Sequence, residues 1–132
     1  MTEIRDMQMT KPRPVFLNLF KIRLPIAGIM SIIHRATGVL MVMAIPLVIY
    51  LFDLSLSGPE GFTQAKGIFA GIFVKLILFL FLWGLMHHLL AGIRYLLIDI
   101  DIGVHKPLFR QTAWAVTLIA PLLALLLLGG LL

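Results

Sequence analysis

The residues best suited to chemistry in this sequence lie in and beside a strongly apolar stretch, residues 87–99, which reads H-H-L-L-A-G-I-R-Y-L-L-I-D. A histidine deep in an apolar run has to hydrogen-bond, line a polar cavity or bind a metal, because hydrocarbon offers its ring nitrogens no partner. Gly84, Ala91 and Gly92 lie three or four positions from His88 and therefore share its face of a helix. This face predicts a groove of small side chains around an imidazole, which either another helix or a planar ligand can fill.

A second polar block occupies residues 31–38, which read S-I-I-H-R-A-T-G. Ser31 and Arg35 are four positions apart and share a helical face, with His34 beside them. A neutral imidazole such as that of His88 is a good axial ligand for haem iron, and the anionic haem propionates would seek cationic groups such as Arg35 and His34. A quinone needs an apolar slot and a few polar groups, and Ser31 and Arg35 suit its oxygens and its developing negative charge.

Each of these residues also has a purely structural interpretation. His87 points away from the small residues and is better interpreted as a helix-contact histidine than as a ligand. Ser31 can hydrogen-bond its own helix backbone, and the glycines of the groove can simply allow close helix packing. Arg35 and Arg94 suit interfacial anchors, which is the interpretation that composition favours for Arg94. For His88, spacing alone leaves haem ligation and a histidine satisfied by another helix both open.

Composition predicts an all-α integral membrane protein of a single domain, residues 1–132. The chain is 61% hydrophobic and 13% charged, whereas a soluble domain is about half apolar and about a quarter charged. Cysteine is absent, which excludes disulfides, thiolate metal sites and cysteine nucleophiles. The net charge of +5 does not indicate nucleic acid, because the positive residues cluster where membrane topology would place them.

Three apolar runs predict three transmembrane helices after a polar, basic N-terminal segment. The predicted segments are an N-terminal stretch at residues 1–24 and spans at 25–54, 65–98 and 111–132. Between the spans, residues 55–62 (S-L-S-G-P-E-G-F) are typical of a turn-rich loop, and residues 101–110 of a short polar loop. Each apolar run is long enough to cross a bilayer with some tilt.

The distribution of Lys and Arg predicts the orientation of these spans. Six of these residues, counting Arg35, precede or open the first span, whereas the region of the first loop holds only Lys66, at the start of the second span. The positive-inside rule therefore predicts a cytoplasmic N-terminus and a periplasmic C-terminus. His88 lies six residues before Arg94, about 9 Å inside the cytoplasmic boundary at the rise of an α-helix. The serine–histidine–arginine block opens the first span at that same boundary.

Three segments together resemble the large membrane-anchor subunit of bacterial succinate dehydrogenase, which is a cytochrome b. They are R-P-V-F-L-N-L at residues 13–19, S-I-I-H-R-A-T-G at residues 31–38, and H-x-x-x-G-I-R at residues 88–94. The loop S-G-P-E-G-F is also similar to one bacterial branch. The chain departs from the family pattern at Phe16 and Asn18, and at Tyr95, where some members carry another histidine.

The resemblance implies a role for each motif residue. His88 matches the axial ligand to the iron of haem b, and the H-x-x-x-G-I-R spacing selects it over His87. His34 and Arg35 match groups near the haem propionates, while Ser31 and Arg35 match residues that contact ubiquinone. No catalytic residue and no haem role for Tyr95 are implied.

The resemblance also implies the partners and the function. The haem would be shared with a small membrane-anchor subunit that supplies the second axial ligand. Electrons would pass from an iron–sulfur subunit, fed by a flavoprotein, to ubiquinone in the tricarboxylic acid cycle and aerobic respiration. The expected location is the bacterial cytoplasmic (inner) membrane, with lipid as a further partner and no nucleic acid. Two alternatives stay open: a fumarate reductase anchor that uses menaquinol, and a haem-free assembly or transporter subunit.

Overall fold

The computed structural model describes residues 23–131 and folds them into four helices, with no strand in that range. The helices are α1 (Ile26–Leu56), α2 (Pro59–Ile68), α3 (Ile72–Asp99) and α4 (Leu108–Leu131). The all-α class is therefore confirmed. The predicted N-terminal segment lies almost entirely outside the described residues.

Three of the helices are long and apolar enough to cross a membrane. They contain 31, 28 and 24 residues, which correspond to lengths of about 46, 42 and 36 Å at the rise of an α-helix. Since the hydrocarbon core of a bilayer is about 30 Å thick, each helix exceeds it. The prediction of three membrane-spanning helices is thus confirmed, and α1 and α4 continue through Pro46 and Pro121.

The segment between the first two spans is more helical than the sequence predicts. α1 ends at Leu56, and Gly58 adopts a positive φ of 114° that few other residues tolerate. Pro59 then opens α2, because its fixed φ suits the first helical position and its missing N–H has no partner there. The predicted loop at residues 55–62 is therefore wrong in its second half, and α3 begins at Ile72 rather than at residue 65.

The connection between α3 and α4 begins with a well-formed helix C-cap. The N–H of Ile102 donates to the Leu97 carbonyl at 2.9 Å, and the N–H of Asp101 donates to the Ile98 carbonyl at 2.9 Å. Asp101 has a φ of 62°, so this end has the left-handed geometry of a Schellman motif. α4 then starts at Leu108, three residues before the predicted boundary.

Helix α3 packs against both α1 and α4, and α1 also contacts α4. Their shared core contains Met30, Ala91, Ala113 and Val116, all buried. The alanines matter because membrane helices gain most of their association energy from close packing, which small side chains permit.

The outward faces of the long helices carry large apolar side chains that are strongly exposed, such as Met43, Phe73 and Leu126. A soluble monomer rarely exposes apolar surface on this scale. On membrane-spanning helices, the same surface suits lipid tails and neighbouring membrane subunits.

Candidate functional site

Two histidines from different helices meet at the centre of the site. His34 on α1 and His88 on α3 stack face to face, with ring centroids 4.0 Å apart and planes inclined by 12°. Tyr95, two turns further along α3, meets the His34 ring edge-on at 5.2 Å. The structure therefore brings together two of the predicted site residues that are 54 positions apart in the chain.

A hydrogen bond fixes which nitrogen of His88 carries the proton. His88 Nδ1 lies 2.9 Å from the backbone carbonyl oxygen of His34. A carbonyl only accepts hydrogen bonds, so Nδ1 must donate, and in the neutral ring Nε2 is then the bare nitrogen with its lone pair available. No hydrogen bond to Nε2 occurs within residues 23–131. This is the tautomer that a metal-binding histidine requires when its other nitrogen is bonded to a carbonyl.

Thr37, one turn after His34, completes the surroundings of Nδ1. Its hydroxyl oxygen lies 3.3 Å from His88 Nδ1 and 2.9 Å from the carbonyl oxygens of both Ile33 and His34. The side chain is only 3% exposed. The hydroxyl can donate to a backbone carbonyl while its oxygen accepts from His88.

Gly38 lets the His88 ring approach the backbone of α1. A Cβ atom at this position would lie only 3.0 Å from His88 Cε1 and 3.5 Å from Nδ1. The shorter separation is well inside ordinary carbon–carbon contact. Residue 38 therefore has to be glycine for His88 to keep this position without displacement.

The groove of small residues predicted on α3 is largely filled by α1. A Cβ on Gly84 would meet the Thr37 methyl at 3.4 Å, and one on Gly92 would meet His34 Nε2 at 3.7 Å. Ala91 is fully buried in the core. The sequence left open whether another helix or a planar ligand fills this groove. In the structure a helix fills most of it.

Ser31 and Arg35 lie one turn apart on α1, as predicted. Ser31 is half-buried and Arg35 is exposed, and Arg35 Nε donates to the Ser31 carbonyl at 3.4 Å. The hydroxyls of Thr37, Ser55, Thr63 and Thr117 donate to carbonyls of their own helix, and that of Ser57, directly after α1, donates to the Leu54 carbonyl. In the part of the chain that the structure covers, the Ser31 hydroxyl makes no such bond, so it remains available to a ligand.

The adjacent His87 occupies the interior of the helix bundle. It is 0% exposed, lies near Trp83 with ring centroids 6.2 Å apart, and has the Met30 backbone beside it. Neither ring nitrogen reaches hydrogen-bonding geometry with any of residues 23–131. These contacts make it a helix-contact residue, as the sequence suggested.

Arg94, which composition favours as an interfacial anchor, is bonded to a neighbouring helix. It is only 5% exposed, and its guanidinium donates to Thr112 Oγ1 at 2.9 Å and to the Phe109 carbonyl at 2.8 Å. The guanidinium also lies 4.5 Å from the centroid of the Phe109 ring. α4 supplies these acceptors. The Arg94 guanidinium, which α3 alone would extend to the surface, therefore joins the two helices.

The donor set fits a haem better than a protein-chelated metal ion. In residues 23–131 no cluster of three or more histidines and carboxylates is arranged to hold a metal. A haem iron already has its porphyrin nitrogens and needs only axial donors. His88 supplies one such donor with its second nitrogen already bonded, and His34 and Arg35 lie on the adjoining turn of α1.

Sequence reasoning missed two features of the site. One is the Thr37 hydroxyl beside His88, and the other is the set of partners that Arg94 contacts. Thr37 belongs to the S-I-I-H-R-A-T-G block, and its position three residues after His34 was the available signal. The partners of Arg94 had no signal of this kind, since the sequence does not place α4.

The fold and site define an all-helical membrane protein with a histidine pair between two spanning helices. In comparison with known proteins, residues 9–127 match the family described as succinate dehydrogenase/fumarate reductase transmembrane subunit. This match covers most of the chain, and the chain belongs to that family.

Several bacterial relatives carry the name succinate dehydrogenase cytochrome b556 subunit. The one from Coxiella burnetii is 31% identical over 113 residues, or 85% of this chain and 90% of the relative. The one from Paracoccus denitrificans is 35% identical over 92 residues, or 70% and 71%. The one from Rickettsia bellii is 31% identical over 117 residues, or 89% and 90%. The resemblance found in the sequence is thus confirmed.

Proposed function

We propose that this chain is the haem b- and ubiquinone-binding membrane anchor of a bacterial succinate dehydrogenase. In that role it takes part in electron transfer from the iron–sulfur subunit to ubiquinone, in the tricarboxylic acid cycle and aerobic respiration. The observation that carries the proposal is the bond from His88 Nδ1 to the His34 carbonyl, because it leaves Nε2 free to bind iron. The names of the relatives, which include cytochrome b556, support the same assignment.

A bound haem supplies a one-electron carrier beside the quinone. This chain would hold the haem through His88 Nε2, and the His34 stack and Gly38 fix the plane of the His88 ring. His34 and Arg35 are assigned to the haem propionates, since both donate hydrogen bonds and Arg35 carries a positive charge.

The second axial ligand is assigned to a small partner anchor subunit. The His34 ring is stacked flat on His88 at 4.0 Å and is assigned to the haem propionates, so it would not also hold the iron. The chain has four histidines in all. His87 is enclosed between helices, and His105 is exposed in the α3–α4 connection, so neither supplies a donor beside His88.

Ser31 and Arg35 are assigned to ubiquinone. The Ser31 hydroxyl, which makes no bond to its own helix in the described range, donates to a quinone oxygen. Arg35 is exposed and stabilises the negative charge that develops on the ring, and the protons are taken up from the cytoplasmic side. The chain itself performs no succinate chemistry and contributes no catalytic residue to it.

The proposal places the chain in the bacterial inner membrane, beside the iron–sulfur and flavoprotein subunits, with the N-terminus in the cytoplasm. Succinate oxidation is preferred to the menaquinol-linked fumarate reductase alternative because the relatives described above are named for succinate dehydrogenase. A haem-free assembly or transporter role is the alternative that the following experiment addresses.

The test compares His88→Leu with His87→Leu in the purified complex. The two histidines are adjacent, and only His88 has a free nitrogen outside the bundle core. We expect His88→Leu to lose the low-spin b-type spectrum, while His87→Leu keeps it. An unchanged spectrum in His88→Leu would remove this residue from the ligand set, and a colourless wild-type complex would support the haem-free alternative.

A further inference from the structure

The surroundings of His88 Nδ1 contain a second acceptor besides the His34 carbonyl. The Thr37 hydroxyl oxygen lies 3.3 Å from Nδ1, compared with 2.9 Å for the carbonyl. One N–H directed between two acceptors makes a three-centre hydrogen bond, in which the shorter contact is the stronger. Thr37 therefore contributes the weaker part of the bond that sets the His88 tautomer.

The Thr37 hydroxyl is held in place for this contact. It is buried, and it lies 2.9 Å from both the Ile33 and the His34 carbonyl oxygens. Donation to the Ile33 carbonyl would leave the His34 carbonyl to His88 and the hydroxyl oxygen able to accept from Nδ1. Such linked hydrogen bonds polarise and strengthen one another in a low-dielectric interior.

The methyl group of the same side chain faces another direction. A Cβ on Gly84 would lie 3.4 Å from Thr37 Cγ2, so the methyl packs against the glycine surface of α3. Thr37 thus has a packing group and a polar group with separate neighbours, and substitutions can remove one while keeping the other.

We infer that Thr37 is a positioning residue for the haem ligand, acting through His88 Nδ1 on the orientation and basicity of the ring. This inference rests on the proposed function, since it requires His88 to bind iron. Hydrogen bonds to the far nitrogen of a ligating histidine fix its ring and raise its basicity, and their removal typically lowers metal affinity by a factor of about 10 to 100. Because the contact is the longer part of a shared bond, the lower end of that range applies.

The experiment uses the complete complex and two complementary substitutions. Thr37→Val keeps the shape and removes the oxygen, whereas Thr37→Ser keeps the oxygen and removes the methyl. Thr117→Val is the control, because Thr117 is also a part-buried helical threonine that donates to its own backbone at 2.9 Å, but it lies on α4. The readouts are the haem midpoint potential, the electron paramagnetic resonance g-values and the rate of haem transfer to apomyoglobin.

We expect Thr37→Val to lose haem about tenfold faster than wild type. Its potential should shift to more positive values, because a less basic ligand stabilises the ferric iron less. Thr37→Ser and Thr117→Val should resemble wild type. If Thr37→Val matches Thr117→Val in all three readouts, the inference is wrong. If Thr37→Ser is the defective variant instead, Thr37 acts by packing, and the inference is equally wrong.

If Thr37→Val fails to assemble, the same substitution is made in the His88→Leu complex. This comparison shows whether the effect of Thr37→Val depends on His88. There Thr37→Val should have no additional effect on the assembly or thermal stability of the complex, because its partner is gone. An effect of the same size in both backgrounds would show a structural role and overturn the inference. If His88→Leu loses the haem spectrum but Thr37→Val in the otherwise wild-type complex changes none of the three readouts, the proposed function stands and only the role of Thr37 is rejected.

Discussion

His34 and His88 contact each other twice: their rings stack at 4.0 Å, and the His34 carbonyl oxygen lies 2.9 Å from His88 Nδ1. One residue of α1 therefore fixes both the plane and the tautomer of a ring carried by α3. The hydrogen bond from His88 Nδ1 goes to the backbone carbonyl of residue 34, so it does not depend on the side chain at that position. Substitution of the His34 side chain should consequently keep the hydrogen bond that sets the His88 tautomer and remove the stack that fixes the plane of the His88 ring.

The first prediction concerns the close approach at Gly38. In Gly38→Ala, the new methyl would lie 3.0 Å from His88 Cε1, so the ring has to move and part of the Nδ1 bond is lost. Overpacking of this kind typically destabilises by about 1–3 kcal/mol. We expect a lower haem content and an altered haem spectrum in the purified complex.

Gly92→Ala is the matched control for that variant. Its methyl would lie 3.7 Å from His34 Nε2, an ordinary contact, and both substitutions gain the same helix propensity. Equal haem contents in Gly38→Ala and Gly92→Ala would contradict the importance of the close approach.

The second prediction concerns the stability of the bundle. His87 is fully buried, with neither ring nitrogen bonded within the described residues, and an unsatisfied buried polar group destabilises by about 1–3 kcal/mol. His87→Leu should therefore raise the thermal stability of the complex, measured by the loss of the native haem spectrum on heating. A marked decrease would mean that His87 has a polar partner in the assembled complex.

The third prediction concerns the contact between α3 and α4. Arg94 is buried and donates to Thr112 and to the Phe109 carbonyl, and hydrogen bonds of charged groups contribute about 1.5–3 kcal/mol. Arg94→Met should lower the dissociation temperature of the complex. Arg94→Lys should rescue it only partly, because an ammonium does not reproduce the planar fork of donors. Arg110→Met, at an exposed position on α4, is the control and should change stability little.

The fourth prediction separates quinone reduction from succinate oxidation. Arg35→Leu removes the charge assigned to the quinone, so the rate of ubiquinone reduction should fall steeply. Succinate oxidation with an artificial dye as acceptor should stay near the wild-type rate, because the flavoprotein performs it. Arg23→Leu, at another exposed arginine near the start of α1, is the control for general effects of charge. Equal losses with both acceptors would indicate failed assembly rather than a quinone role.

The number of spans and the residues that share a helical face were predicted from the sequence, because both depend on local pattern. Long apolar runs give long helices whatever their neighbours are, and residues four apart share a face in any α-helix. The start of α2 at Pro59 was missed for an equally local reason. The segment Ser57–Gly58–Pro59 combines a helix stop with a helix start, and the predicted loop accounted only for the stop.

The sequence by itself thus determined the membrane character, the three spans, the family resemblance and the candidate ligand His88. Only the tertiary structure decided which groups surround that ligand: the His34 ring and carbonyl, the Thr37 hydroxyl and the open position at Gly38. It also decided that Arg94 is buried, because the acceptors for its guanidinium come from α4. The physical reason is that helix periodicity fixes where a side chain points on its own helix, whereas the partner it meets depends on how separate helices pack.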